Sequence, residues 1–185
     1  MYRIITCIFI VLHLLIVSGC SDSDNKNNIL YGKYHLYSVE SSMPVDLNFD
    51  EEENSDLTQE INDFSKCALF LYNNEGIISL DLLWPEFLLN KNKLLEGMPS
   101  KYEEGMKIDY VNVSIWYFVS FDETNCKIKT GQKKVNDESI YTFNFPKEMN
   151  YDAKKKEIYF DTTQTFLLKE GQEGIQLRVV FKYKE

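Results

Sequence analysis

The chain has 185 residues and a formal net charge of −9, from 20 basic and 29 acidic side chains. This length suits one domain of ordinary size with a sizeable core. The acidic balance argues against nucleic acid as a partner, because phosphate binding needs a positively charged surface. It argues equally against electrostatic attachment to anionic lipid.

The first twenty residues have the pattern of a secretory signal. Arg3 supplies a positive start, residues 4–17 form an apolar run, and small residues stand directly before Cys20. The run is shorter than the ~20 residues that a transmembrane helix needs, so we expect residues 1–19 to be removed as a signal peptide. A cysteine at this place resembles a bacterial lipobox. That resemblance implies a lipoprotein attached to membrane lipid through acylated Cys20.

Residues 20–28 are polar and contain nothing apolar to bury beyond the cysteine, which predicts a flexible tether between lipid and folded domain. Two acidic residues, Asp22 and Asp24, follow the lipidated cysteine closely. Their position resembles the acidic export signal of Bacteroidetes-type lipoproteins. That resemblance implies an outer-membrane protein displayed on the cell surface, with the periplasmic face as the alternative.

Most of residues 29–185 alternates between apolar and polar positions, which is typical of β-strands. The predicted strands are residues 31–40, 66–72, 77–83, 107–121, 126–130, 139–145, 157–161, 163–169 and 175–183. About eight to ten antiparallel strands joined by short turns predict an all-β domain, either an up-and-down barrel or a sandwich. A closed barrel would remove the unpaired strand edges, and its mouth could hold a small ligand.

Two stretches do not alternate and predict short helices. Residues 55–64 form the first, with Asn54 or Ser55 as its N-cap. Residues 85–95 form the second, with Pro85 in the first turn, where its missing N–H costs no hydrogen bond. The strand pattern and these two stretches together predict an all-β domain with one or two short helices.

An acidic stretch after the first strand carries oxygen ligands at alternate positions, Asp46, Asn48 and Asp50, and Asp56 follows. Alternate side chains point to one side, so this spacing is that of an EF-hand-type calcium loop. Two features depart from it. Glu51 stands where the sharp turn needs glycine, and Asp56 lies one place before the expected bidentate acid. Ca²⁺ is therefore a candidate cofactor, and a solvated acidic loop without metal is the alternative.

Two cysteines remain once the signal is removed and the lipobox cysteine is acylated, namely Cys67 and Cys126. Outside the cytoplasm, a disulfide between them would persist. Cysteine also behaves as a small buried hydrophobe, so two free thiols are the alternative. Both remain open, since a disulfide needs Cα atoms within ~7 Å of each other.

Large aromatic side chains stand on the longest predicted strand, residues 107–121. Tyr110, Trp116 and Phe118 share the face opposite to its aliphatic one. Aromatic side chains on a sheet usually contribute to the core through burial and cross-strand pairing. A second interpretation is a ligand-binding platform or barrel lumen for a glycan or an apolar compound.

Few residues support an enzyme. His35 is the single histidine beyond the signal peptide, so a Ser-His-Asp or Cys-His arrangement would have to include this mid-strand residue. A zinc site with several His or Cys ligands lacks enough of them. Acidic residues are plentiful, but no pair stands out as the carboxylates of glycoside hydrolysis. We therefore predict a non-enzymatic protein.

Several short segments follow one another within residues 1–80. They are Gly32-Lys33-Tyr34-His35-Leu36, Val45-Asp46-Leu47-Asn48-x-Asp50, Ser55-Asp56-Leu57, Cys67 and Gly76. This order resembles a group of Bacteroidetes-type lipoproteins with a lipocalin-like domain. The resemblance implies a lipocalin-like barrel in the cell envelope and supplies no catalytic residue. The missing loop glycine weakens any metal site that the resemblance implies.

The leading prediction is an outer-membrane, surface-exposed lipoprotein whose barrel binds a small molecule, a glycan or a protein without catalysis. The second is a calcium-stabilised structural or adhesion module with no ligand in its lumen. An envelope glycan hydrolase is a weaker third. An open apolar lumen favours the first prediction, whereas a filled barrel with an ordered acidic loop favours the second.

Overall fold

The computed structural model describes residues 30–89, 98–106, 108–133 and 143–184. The predicted signal peptide and tether, residues 1–28, lie outside the described residues. The strands are β1 (Gly32–Val45), β2 (Asn54–Asp56), β3 (Ala68–Asn74), β4 (Ile77–Leu89), β5 (Ile108–Asp122), β6 (Lys127–Lys133), β7 (Glu148–Asp152), β8 (Glu157–Leu168) and β9 (Gly171–Tyr183). The helix α1 (Leu57–Glu60) and a 3-10 helix (Asn62–Lys66) follow β2.

The strands form one antiparallel sheet that closes into a barrel. Each strand from β3 to β8 pairs with its successor, and β1 pairs with both β3 and β9. Eight strands therefore make the ring, and the short β2 is an addition to β1. The predicted all-β fold and antiparallel barrel are confirmed, and the architecture is consistent with a lipocalin-like barrel.

The boundaries of several predicted strands differ from those in the structure, and a tight turn separates β3 from β4. Glu75 and Gly76 join β3 to β4 with φ angles of 53° and 87°, the two positive values that a type I′ hairpin turn needs. The predicted strands 157–161 and 163–169 are one strand, β8. The predicted strand 139–145 is wrong over its described residues 143–145, because backbone N–H groups there bond to side chains instead of a strand.

The predicted helix at residues 85–95 is wrong over its described part, because β4 continues to Leu89. Pro85 is paired with Asn112 of β5. The ladder between β3 and β4 ends at Leu83. Pro85 therefore lies just beyond that ladder, where its missing N–H removes no hydrogen bond to β3.

The predicted helix at residues 55–64 is present as two separate turns, α1 and the 3-10 helix. Its N-cap is Asp56 rather than Asn54 or Ser55, and the Asp56 carboxylate accepts a hydrogen bond from the Thr58 N–H at 3.0 Å. The cap lies later than expected because β2 occupies residues 54–56.

Inward-facing side chains of all the long strands fill the barrel. The largest fully buried ones include Tyr34, Phe160 and Phe181. Near the helical turns, the Phe64 ring lies edge-on to Trp84 with centroids 5.1 Å apart. Phe64 is itself fully buried, so the helical segment covers this end of the interior.

Candidate binding surface

The barrel interior leaves little room for a ligand. A cavity between Trp84, Phe143 and Phe166 has a volume of about 10 Å³. That is the least volume that holds one water molecule, whereas small-molecule sites are typically ~300–1,000 Å³. Around the described residues, the interior is therefore a packed core and not the open lumen that one of the predictions required.

A larger depression of about 550 Å³ lies on the outer surface between β1, β8 and β9. Its lining is mainly polar and includes Glu40, Asp161 and Arg178. Arg178 and Asp161 form an exposed ion pair at 3.2 Å. Such pairs contribute little binding energy because water screens them, and the lining has no large exposed apolar side chain. This depression therefore offers a partner neither an apolar anchor nor a strong charge.

Three rings form the outer aromatic row: Phe70, Tyr72 and Trp116. Phe70 and Tyr72 share the outward face of β3, with ring centroids 6.1 Å apart and planes within 1°. The rings of Tyr72 and Trp116 are 5.9 Å apart and within 7°. Because β4 separates their strands, these two rings meet above β4. Lys33 extends the row, since its Nζ lies 5.3 Å from the centre of the Phe70 ring.

The row is part of an exposed apolar surface. Tyr72 is 42% exposed, and Phe118 and Ile77 on the same outward face are 38% and 60% exposed. These are three of the five large hydrophobic side chains that the described residues expose. Single exposed hydrophobic residues are ordinary, but a contiguous apolar surface marks an interaction site.

A carboxyl group lies beneath the row. Asp81 is only 8% exposed although it stands on the outward face of β4, and the Ser114 hydroxyl donates a hydrogen bond to its Oδ1. Burial raises the pKa of Asp81, against a smaller lowering by the Ser114 hydrogen bond. The pKa of Tyr72 is also raised, by burial and then by the Asp81 carboxylate. The aromatic rings therefore cover a polar pair on the outside of the barrel.

Tyr110, the third residue of the predicted platform, has other neighbours than Trp116 and Phe118. Its ring lies edge-on to Phe87 at 6.1 Å, and its hydroxyl donates to the Leu47 carbonyl oxygen at 3.5 Å. Burial raises the pKa of Tyr110. The chain leaving β1 covers this part of β5, which the alternation along a single strand does not reveal.

The acidic loop is ordered by its own hydrogen bonds. Asp46 accepts the backbone N–H groups of Asp50 and Glu51 at 3.2 and 3.1 Å. Asn48 accepts the Asp50 N–H at 3.0 Å, and Asp50 accepts the Glu52 N–H at 2.9 Å. Glu51 has a φ angle of 75°. It therefore takes the left-handed conformation for which a calcium loop uses glycine.

The carboxylate oxygens expected to bind a cation thus bind backbone N–H groups. Asp56 acts separately, as the cap of α1. Within the described ranges, no three His, Cys, Asp or Glu side chains are placed to hold a metal ion. The calcium site at Asp46, Asn48, Asp50 and Asp56 stays a prediction, in which Asp56 would have to leave its role as the cap of α1.

Cys67 and Cys126 are both free thiols. The Cys67 Sγ lies 3.6 Å from the Asn112 side-chain oxygen, whereas Cys126 lies in the turn that follows Asp122. From Asn112 to Asp122, β5 extends about 33 Å, which is far beyond the ~7 Å that a disulfide allows. The predicted disulfide is therefore contradicted. Burial raises the pKa of the Cys67 thiol, which keeps it protonated.

Sequence patterns missed several buried polar side chains. Glu60 accepts the Leu47 N–H at 2.8 Å, and Glu86 accepts the Phe143 N–H at 3.0 Å. Gln164 is buried in the same way and bonds to neighbouring backbone. These side chains satisfy backbone groups of irregular segments near the barrel end. The sequence feature that could have identified them is a polar residue at an inward-facing strand position, such as Glu86 on β4.

Comparisons with protein-family models, with curated proteins and with solved structures found no match to this chain. In the part of the chain that the structure describes, no helix is long and apolar enough to cross a membrane. Fold and surface together define a closed antiparallel β-barrel with a packed interior and an exposed aromatic row on β3 to β5.

Proposed function

We propose that this chain is a lipid-anchored protein of the outer membrane whose barrel binds a protein partner through the outer aromatic row. The anchor is supported by the sequence, through the apolar run and the small residues before Cys20. Asp22 and Asp24 support display on the cell surface through their resemblance to an export signal. The role is non-enzymatic, since the one histidine beyond the signal peptide lies within β1.

The location of the outer aromatic row on the barrel supports the proposed binding role. The row lies on the convex outside of a barrel, whereas small-molecule sites are concave. The centres of protein interfaces are enriched in Tyr, Trp and Phe and depleted in Lys and Glu. Tyr72, Trp116 and Phe118 supply such anchors, and the neighbouring acid Asp81 is only 8% exposed. A protein surface is therefore the partner that fits best.

The filled interior separates the predicted functions. The inward side chains of the described strands form one buried core, and the cavity between Trp84, Phe143 and Phe166 is only about 10 Å³, which supports binding on the outer surface. This packed interior also supports the second prediction, a structural or adhesion module with no ligand in its lumen. The proposed function keeps the element common to both: a barrel that binds a partner through its surface.

A photoreactive residue at position 118 tests the proposed function in cells. A benzophenone amino acid replaces Phe118, whose exposed ring leaves space toward the solvent for the added benzoyl group, and the same residue in place of Tyr37 is the control. Tyr37 is a matched position because it is an aromatic residue of β1 that is 64% exposed. We expect a discrete protein adduct from position 118, a much weaker one from position 37, and loss of the first when Tyr72→Ala is added.

The alternatives give different adducts. A protease-resistant smear that periodate removes would identify a glycan partner and contradict a protein partner. Equal adduct yields at positions 118 and 37, or no adduct at position 118, would contradict binding through the outer aromatic row.

A further inference from the structure

The two ends of the barrel differ in charge. One end holds the start of β1, the end of β9 and the turns β3–β4, β5–β6 and β7–β8, because every pair of neighbouring strands is antiparallel. The opposite end holds the acidic loop, the helical turns and the β8–β9 turn. We call these the basic end and the acidic end.

Exposed and half-exposed lysines cluster at the basic end, around the start of β1, the β7–β8 turn and the end of β9. They are Lys33, Lys154, Lys155, Lys156, Lys182 and Lys184. Glu157 pairs with Lys182 at 3.1 Å, and Asp152 lies 4.0 Å from Lys155. On the other side of this end, Glu75 and Glu123 face the solvent, and Asp122 pairs with Lys129 at 2.9 Å. Lysine therefore remains in excess around β1 and β9.

The acidic end has the opposite composition. The loop before α1 contributes Asp46, Asp50, Glu51, Glu52, Glu53 and Asp56. The β8–β9 turn adds Glu170, with Lys169 beside it, and the nearby residues 98–106 add Lys101. Among the described residues, charge is therefore distributed unequally along the barrel axis.

His35 lies among the basic-end lysines and responds to them. It is paired with Lys182 across β1 and β9. Burial lowers the pKa of His35, and Lys33 and Lys184 lower it further. Lys33 from the start of β1 and Lys184 from beyond β9 thus both act on His35, so their positive charges lie close together at this end of the barrel.

The chain enters the barrel at the basic end. Leu30 precedes β1, and its carbonyl oxygen accepts a hydrogen bond from the Tyr34 hydroxyl at 3.0 Å. A chain from Cys20 to Leu30 reaches at most about 35 Å. The acidic end lies roughly 30 Å farther away, since tilted strands such as the 13-residue β9 run between the two ends. A lipid anchor at Cys20 therefore keeps the basic end within about 35 Å of the membrane. Within that reach, charge sets which end of the barrel faces the membrane.

We propose that the basic end docks on anionic phospholipid headgroups of the leaflet that holds the acyl chains, with the acidic end directed away. The proposal rests on the lipid anchor of the proposed function. Lysines within a Debye length of an anionic surface, about 8–10 Å, are attracted to it. The acids of the opposite end lie beyond that distance and are screened. Net charge alone led to the expectation of no electrostatic attachment, and the arrangement of the charges reverses it.

Lysine labelling tests the proposal on the acylated protein reconstituted in vesicles. One set of vesicles is neutral phosphatidylcholine, and the other contains about one third phosphatidylglycerol. An amine-reactive reagent and mass spectrometry measure Lys154 and Lys184 at the basic end and Lys101 and Lys169 at the acidic end. At low salt we expect anionic vesicles to reduce labelling of the basic pair about fivefold, with the acidic-end pair unchanged and the protection lost in 0.5 M NaCl.

Two charge-reversal variants sharpen the result, and both change net charge equally. In Lys154→Glu with Lys184→Glu, the protection of Lys155 should disappear. In Lys101→Glu with Lys169→Glu, it should remain. Equal labelling on neutral and anionic vesicles would overturn the proposal, and so would protection by inorganic phosphate without vesicles. Failure of the protein to float with neutral vesicles is a separate outcome, which would contradict the lipid anchor itself.

Discussion

Both the inner and the outer faces of β3, β4 and β5 carry large apolar side chains, but only the inner set forms the barrel core. Inward-facing Leu71, Leu82 and Ile115 are almost completely buried. Outward-facing Tyr72 and Phe118 remain substantially exposed, although the same strands carry them. Burial explains the inner set through the hydrophobic effect. The outer set breaks the polar-out pattern of a sheet, and residues that break a local rule are candidates for function.

Among the single substitutions, Leu82→Ala should cause the largest loss in the free energy of unfolding. Leu82 is fully buried inside the barrel, so the substitution removes buried methyl groups and leaves a cavity. We expect the free energy of unfolding to fall by about 2–5 kcal/mol, as measured by urea denaturation. A loss below ~1 kcal/mol would mean that the interior is not tightly packed at this position.

Trp116→Ala should cost much less stability. The indole is half-buried on the outer face and stacks on Tyr72 with centroids 5.9 Å apart. Such aromatic pairs contribute about 0.5–1.5 kcal/mol beyond burial. We therefore expect a loss of about 1 kcal/mol in the same urea experiment, together with loss of the adduct from position 118. Unchanged adduct formation would remove Trp116 from the binding surface.

Asp81→Asn should have the smallest effect, visible in its pH dependence. Burial raises the pKa of Asp81, so the native state keeps this proton at pH values where the unfolded carboxyl, with a pKa of about 3.9, has lost it. Between those two pKa values, Asp81 makes the free energy of unfolding fall as the pH rises. The variant lacks this contribution, so its stability relative to the wild type should increase from about pH 4 towards neutral pH.

Urea denaturation at several pH values measures this difference. The exposed carboxyl of Asp161 provides the control through Asp161→Asn. A stability difference between Asp81→Asn and the wild type that stays constant over the whole range would show that Asp81 is not desolvated by the aromatic rings.

The alternation of apolar residues was sufficient to predict the all-β class, because inward positions repeat every second residue. It left a barrel and a sandwich open, and the resemblance to lipocalin-like domains indicated the barrel. The alternation failed where tertiary contacts decide the local structure. Pro85 was read as a helix start, but it lies in β4 beyond the end of the β3 ladder. Residues 143–145 were read as a strand, but Glu86 and Gln164 bind their backbone. Neither partner is adjacent in the sequence.

The candidate site was predictable only in part. Trp116 and Phe118 were identified because they interrupt the polar face of β5. Phe70 and Tyr72 were missed, because their relation to Trp116 runs across β4 and depends on strand register. Tyr110 has other neighbours than these rings, since the segment that covers it comes from the end of β1. Alternation along one strand predicts the face on which a side chain lies. Its neighbours on that face depend on how all the strands of the sheet are paired.

The most direct test of the central claim compares two double variants that lie on the same two strands. Tyr72→Ala with Trp116→Ala removes two rings of the outer aromatic row, and Leu71→Ala with Ile115→Ala removes their buried inward neighbours. The measured quantity is the free energy of unfolding in urea. We predict a loss of about 2 kcal/mol or less for the outer pair and at least twice that loss, or failure to fold, for the inner pair. An outer pair that costs as much stability as the inner pair would contradict the claim, because the row would then serve the fold and not a partner.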